Sequence, residues 1–436
     1  MNKKLILSAT AIIATGMVMA QSNYADVDQW GAGTNSSTVD QVGYSNYANV
    51  DQNNTSSATL ANVSDVDQDG DDNNAYVSQV GGNNDSWIDQ DGDYNTSGVW
   101  SHGQDNDVIV KQVGASNTAY DHQTGDRNLS TTSQTGNSNR SHVDQYGGAG
   151  GSDDNVSDVD QVGNSNWNYR VYQAGNWNES DLDQIGDGNT NRSSSVGDYN
   201  DQDIYQNGDG NSNESDQTGD VNDHDVYQYG NGNSNESDQT GDYNDVYTWQ
   251  YGDGNGAVIN QNGTYNYSYT HSHGDDNNVS ADQDGYSNYA NANQHGNMNT
   301  SDVSQLGDDN NAYGNQSGNE NTASSAQVGN YNYSNIYQRG DENAGTVTQD
   351  GNSNWSRVDQ WGDGNTGTVD QDGNNNNSDI DQGGWNGSTY IYADDNTATT
   401  TQDGNNNVSD VNQWSDSNGA YTTQTGDGNY SWIEQN

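Results

Sequence analysis

From Gln173 to Gln382 a glutamine stands at every eleventh residue, and only Ser195 and Ser272 break the count. A repeat this strict decides the architecture, because every copy takes the same conformation and finds its partner in another copy. The unit reads Asn-x-small-x-aliphatic-x-Gln-x-Gly-x-x, as in Asn354-Trp355-Ser356-Arg357-Val358-Asp359-Gln360-Trp361-Gly362-Asp363-Gly364. Numbered 1 to 11, its Asn, small residue, aliphatic and Gln fall at positions 1, 3, 5 and 7. Period two over such a run is the signature of a strand. It turns Asn354, Ser356, Val358 and Gln360 inward, with Trp355, Arg357 and Asp359 facing out. Gly at position 9, often followed by Asp, Asn or Gly, supplies the backbone freedom of a tight turn. One unit is therefore strand plus turn, and two units make a coil of 22 residues.

The array begins at Asn23-Tyr24-Ala25-Asp26-Val27-Asp28-Gln29 and ends at Gln435. It slips by one residue before Asn35, carries longer insertions around 55–61 and 148–154, and gains one residue between Asn166 and Gln173. Between Ala393 and Gln402 the spacing contracts to nine. With Ser101, Ser195, Ser272 and Ala393 standing for Gln, the count is 37 units. No linker or compositional shift divides residues 21–436. Residues 1–20 read differently: Lys3 and Lys4 precede an apolar run to Met19, and Val18-Met19-Ala20 offers a cleavage site before Gln21. That is the pattern of a secretory signal peptide.

Only 27% of the residues are hydrophobic, there is no Phe, and the formal charge is −55. Such a composition would ordinarily mean disorder, but the strict period argues against it. The absence of Pro fits a backbone paired strand after strand. Stacking coils at about 4.8 Å places like residues above one another, so that Asn and Gln side chains form amide ladders. A thin interior of Ser, Ala, Val and satisfied amides can then replace a conventional core. The fold class expected is all-β, a β-solenoid or cross-β stack of strand-turn-strand coils. The residues expected to carry ladder and assembly are Asn310, Gln316, Asn321, Gln327, Asn332, Gln338, Asn343, Gln349, Asn354, Gln360, Asn365, Gln371, Asn376 and Gln382. Their turns use Gly318, Gly329, Gly340, Gly351, Gly362 and Gly373.

The repeat resembles that of curlins, the subunits of bacterial curli fibres. The likeness rests on Asn73-x-Ala75 followed by Gln79-x-Gly81, and on Asn310-x-Ala312 followed by Gln316-x-Gly318. It extends over essentially the whole array. What the resemblance implies is a secreted functional amyloid, a solenoid subunit stacking end to end into cell-surface fibres of the biofilm matrix. It also implies a nucleator subunit and outer-membrane secretion machinery as partners. The chain differs from known curlins in having many more repeats. It also lacks their Gly-rich targeting segment, since its repeats start within three residues of Gln21.

Asp precedes Gln at Asp28, Asp40, Asp51, Asp67, Asp89, Asp144, Asp160, Asp183, Asp359 and Asp370. Facing out, these would stack into like-charged rows at every coil, which is destabilising. Such rows read as gatekeepers against early aggregation, as a solubilising face, or as a place for divalent cations. Gly-Asp-Gly-Asn runs at 252–255 and 362–365 do not match calcium-binding repeats, whose period is about nine. Outward aromatics such as Trp87, Trp167 and Tyr390, Trp30 and Trp361 between Gln and Gly, and Trp414 after Gln413, suit either a binding surface or the covering of sheet faces. His102, His122, His142, His224, His271, His273 and His295 lack ligand spacing, although His271 and His273 can share a face. Positive charge is too sparse for a nucleic-acid footprint. No nucleophile–base pair or phosphate loop stands out, so neither enzyme, cofactor nor specific metal site is expected. The alternative reading is a soluble acidic adhesin binding glycan, ice or surfaces, with or without calcium. Only Thr397, Thr399 and Thr401 suggest the regular Thr array that ice binding would need, and no capping element is seen.

Overall fold

The computed structural model describes residues 22–31, 34–55, 60–147, 153–385 and 390–436. The expected signal segment lies outside these residues, as do parts of the insertions at 55–61 and 148–154. The chain divides into two compact units, Met1–Ile204 and Tyr205–Asn436. The fold is all-β, and no described residue is helical.

Each unit is a parallel β-solenoid with about 22 residues per turn. Successive repeats alternate between two sheets, so a strand pairs with the strand two repeats away. In the first unit, Asp85–Asp91 lies parallel to Asp107–Ala115 and sets Gln90 beside Gln112. In the second, Tyr333–Arg339 lies parallel to Trp355–Trp361 and sets Gln338 beside Gln360. The alternation expected at 354–360 is the one found: Asn354, Ser356, Val358 and Gln360 are buried, and Trp355, Arg357 and Asp359 are partly exposed.

Between the sheets runs a narrow apolar row, broken where Ser, Thr or another polar residue takes the aliphatic position, as at Thr248 and Ser325. Ile336, Val347, Val358, Val369 and Ile380 form it in the second unit. Val50, Val66, Val77, Ile88, Val99 and Val110 form it in the first. Amides and hydroxyls flank this row on both sides.

The slips in the repeat fall where the backbone can absorb them. The extra residue between Asn166 and Gln173 is a bulge in the strand Trp167–Ala174, where the register shifts between Asn168 and Arg170. The nine-residue spacing before Gln402 has a different origin from the one expected. Nine residues are inserted in the turn that follows Gln382, with Gly384–Trp385 antiparallel to Tyr390–Ile391. Residues 393–396 then rebuild an ordinary turn: Ala393 N donates to Trp361 O at 2.8 Å, and Asn396 N to Asn365 Oδ1 at 3.0 Å. Ala393 therefore does not stand at a Gln position, and the array has one unit fewer than the 37 counted. An insertion close in length to one repeat had passed for a contracted repeat.

The turn has two left-handed positions, where the sequence suggested one. Gly351 at position 9 has φ of 125°, and a Cβ added there would lie 1.9 Å from the carbonyl oxygen of Gly373 in the next coil. Glycine is needed there for stacking as much as for turning. Position 11 also has positive φ, near 57–60° at Tyr331, Glu342 and Ser353. A Cβ there has room, with nothing within 4 Å of one added at Gly188, Gly210 or Gly232, so non-glycine residues occupy it despite the strain.

Candidate functional site: the stacked amide rows

The inward glutamines form continuous chains. Gln316 Nε2 donates to Gln338 Oε1 at 3.0 Å, Gln338 to Gln360 at 2.9 Å, and Gln360 to Gln382 at 2.9 Å. On the facing sheet, Gln327 donates to Gln349 at 2.9 Å and Gln349 to Gln371 at 2.8 Å. The second Nε2 proton goes to a backbone carbonyl of the opposite sheet, as from Gln316 to Thr300 O and from Gln338 to Thr322 O, both 2.8 Å. Each amide thus donates twice and accepts, which meets the condition for burying it without penalty. Where Ser replaces Gln only the onward link is kept: Ser272 Oγ donates to Gln294 Oε1 at 3.1 Å, whereas Gln250 Nε2 turns to the backbone carbonyls of Ser234 and Asn255.

The asparagines do something different, because their shorter side chains reach the turn. Asn332 N donates to Asn310 Oδ1 at 3.0 Å, Asn354 N to Asn332 Oδ1, and Asn376 N to Asn354 Oδ1 at the same distance. The facing row repeats this from Asn343 to Asn321 and from Asn365 to Asn343, again at 3.0 Å. Most of the Nδ2 groups then tie down a turn glycine, whereas that of Asn365 is buried without a partner. Asn299 bonds the Gly318 carbonyl at 2.8 Å, Asn310 that of Gly329 at 2.7 Å, and Asn321 that of Gly340 at 2.8 Å. Asn332 bonds Gly351 at 2.9 Å, Asn343 bonds Gly362 at 2.8 Å, and Asn354 bonds Gly373 at 2.9 Å. All of the expected Asn and Gln residues are buried.

A third row escaped the sequence reading. Asp or Asn at position 10 accepts the backbone N–H of the position-10 residue one coil earlier. Asp341 N donates to Asp363 Oδ1 at 2.8 Å, and Asn330 N to Asn352 Oδ1 at 2.9 Å. The bias toward Asp and Asn after the turn glycine is visible in the sequence, but turn geometry alone suffices to explain it there.

The outward carboxylates do not make a row at every coil. Only residues on the same sheet stack, and their neighbours vary. Asp40, Asp67 and Asp89 adjoin one another, but Lys111 follows. Asp28 adjoins Asp51, Asp160 adjoins Asp183, and Asp359 adjoins Asp381, whereas Asp370 sits between Thr348 and Thr401. Asp144 stands beside His122, at 3.6 Å, with His142 at 3.3 Å and Arg170 at 2.6 Å. Burial alone would raise its pKa, but these partners hold the carboxyl below the usual range. In the second unit Arg357 pairs with Asp379 at 3.0 Å and with Asp381. Burial, reinforced by Asp381, still pushes Asp359 up to about 6 and Asp379 to about 7.

His224 is the one histidine found inside the coil, with Nε2 2.5 Å from Ser237 Oγ, and burial lowers its pKa to about 3. His271 and His273 do share an outward face, each packing on His295. Among the described residues no group of three or more His, Asp or Glu is placed to hold a metal ion. The outward Thr patch is wider than its strand suggested, since Thr346, Thr368 and Thr399 are stacked neighbours.

The Curlin associated repeat family model matches residues 62–92, 114–147 and 274–307. Three stretches of the chain are similar to the curlin repeat. All three matched stretches coincide with coils of the geometry just described, and they support assignment to the curlin family. Comparison with curated proteins gives no match.

Proposed function

We propose that the chain is a secreted structural subunit that self-assembles into curli-like cross-β fibres of the cell surface or biofilm matrix, and so supports adhesion. The observation that carries this reading is the polarity of the glutamine rows. Every coil donates amide protons toward one neighbour and accepts them from the other, so its two faces are complementary. A coil from a second chain would meet the same N–H, C=O, Gln and Asn groups as an internal neighbour does. Growth is then templated addition of coil on coil. The family reading adds a nucleator and export machinery as partners, and it assigns no catalytic role.

The test is to incubate residues 21–436 at micromolar concentration, follow thioflavin fluorescence and take fibre diffraction. A rise in fluorescence with reflections near 4.7 and 10 Å is expected, and a lasting monomer would overturn the proposal. Acid or millimolar Ca²⁺ should shorten the lag, by neutralising or screening the outward carboxylates. Equal lag times with Ca²⁺ and with chelator would remove cations from the account.

A further inference from the structure

All but the tryptophans among the aromatic residues are phenols: the chain has 29 Tyr, no Phe and no Cys. Parallel in-register stacking brings some of these phenols into face-to-face pairs. Tyr243 and Tyr265 occupy position 11 of consecutive turns on one side of the second unit. Their ring centroids are 4.8 Å apart and their planes 14° from parallel. Both rings are about half exposed, at 45% and 49%. Tyr229 and Tyr251 stack at 4.8 Å and 2°, and Tyr267 and Tyr289 at 5.1 Å and 4°. Tyr286 also touches Tyr265, but edge-on at 79°.

We propose that these stacked pairs are sites of oxidative tyrosine coupling, giving dityrosine links that staple one coil to the next. The rings are held in contact by the backbone register, which replaces a bimolecular encounter with a prearranged one. The co-reactant is hydrogen peroxide acting through a haem peroxidase, as an extracellular chain can meet. Each phenol gives up one electron and its hydroxyl proton, and the two radicals join through ring carbons ortho to the hydroxyls. Loss of the two ortho hydrogens as protons, with reprotonation of both oxygens, restores the phenols. One C–C bond forms, two C–H bonds break, and one peroxide is reduced to two waters. A link between neighbouring coils does here what a disulfide does in a cysteine-bearing secreted chain. The Tyr243–Tyr265 pair is the foremost site, because it combines parallel rings with exposure to the oxidant.

The experiment treats the folded 21–436 chain, kept dilute, with peroxide and a haem peroxidase, then maps linked peptides by mass spectrometry. Expected are peptides lighter by two hydrogens that join Tyr243 to Tyr265 and Tyr229 to Tyr251, with Tyr286 unlinked. In Tyr265→Phe, with unchanged circular dichroism, the first link should vanish and the second remain. Links scattered among the tyrosines without preference for these pairs, or none within the chain, would overturn the proposal. Neither result depends on whether fibres form.

Discussion

The first unit interrupts its repeat inside turns and inside a strand, while the second keeps one spacing from Tyr205 to Gln382. The glutamine rows nevertheless have the same geometry in both. In the first unit, Gln52 donates to Gln79 and Gln134 to Gln161, each across 27 residues at 2.8 Å, and Gln145 to Gln173 across 28 at 2.8 Å. In the second, Gln294 donates to Gln316 across 22 residues at 3.0 Å. Spacing along the chain is therefore not what fixes the register. The inward row fixes it, and added residues are taken up in turns or, between Asn168 and Arg170, as a bulge. The energies explain why. Lengthening an exposed turn costs a fraction of a kcal/mol, about 0.6 for each doubling, whereas an unpaired buried amide costs about 1–3 kcal/mol.

That comparison can be broken most severely at the turn. Gly351→Ala should destabilise the surrounding coils by roughly 3–5 kcal/mol, since both φ and the carbonyl of the next coil oppose a Cβ. Gly210→Ala, at φ of 69° with nothing within 4 Å, should cost only about 1 kcal/mol. Similar denaturant midpoints for the two variants would show that stacking does not demand glycine at position 9. Next come the rows themselves. Gln338→Leu and Gln134→Leu each leave a donor and an acceptor buried without partners, and each should lose about 2–3 kcal/mol. A much smaller loss at Gln134 would mean that the interrupted unit relies less on its row, and the likeness between the units would fail.

Acidity should act on both units in one direction. The carboxyls of Asp183, Asp245 and Asp359, raised to about 6, and of Asp379, raised to about 7, bind protons in the folded chain before they would when unfolded. Stability from these groups is lost as pH rises through about 4 to 7, and regained on acidification. His224 works oppositely, being held neutral in the fold down to about 3, but it is a single group. Thermal midpoints should therefore be higher at pH 5 than at pH 8. A fall on acidification would give His224 the larger share. The smallest effect is expected from deleting residues 383–391, which restores a spacing of 22 between Gln371 and Gln402. It should change stability by less than about 1 kcal/mol and leave the β circular dichroism intact.

The fold was legible because period two within the unit and period eleven between units allow few alternatives. The inward set at 354–360 and the places of the slips followed directly from it. Other features required the third dimension. Nothing in the sequence around Ala393 separates a short repeat from an insertion, because both keep later Gln residues in phase. The position-9 glycine reads as a turn residue until the carbonyl of the next coil is seen beside it. Which carboxylates stack depends on the alternation between sheets, so a list of Asp-Gln dipeptides overstated the acidic rows. His224 looked like its six scattered counterparts, although its place at position 3 of the unit already assigned it to the interior.

The central claim is that buried side-chain amides, rather than a broad apolar core, hold coil to coil. Hydrogen exchange of the side-chain amides in glutamine-labelled full-length protein tests it most directly. The account predicts that Nε2 protons of the rows, such as those of Gln338 and Gln360, exchange as slowly as the strand backbone around them. Exchange of those protons at the rate of free glutamine, with the backbone still protected, would contradict it.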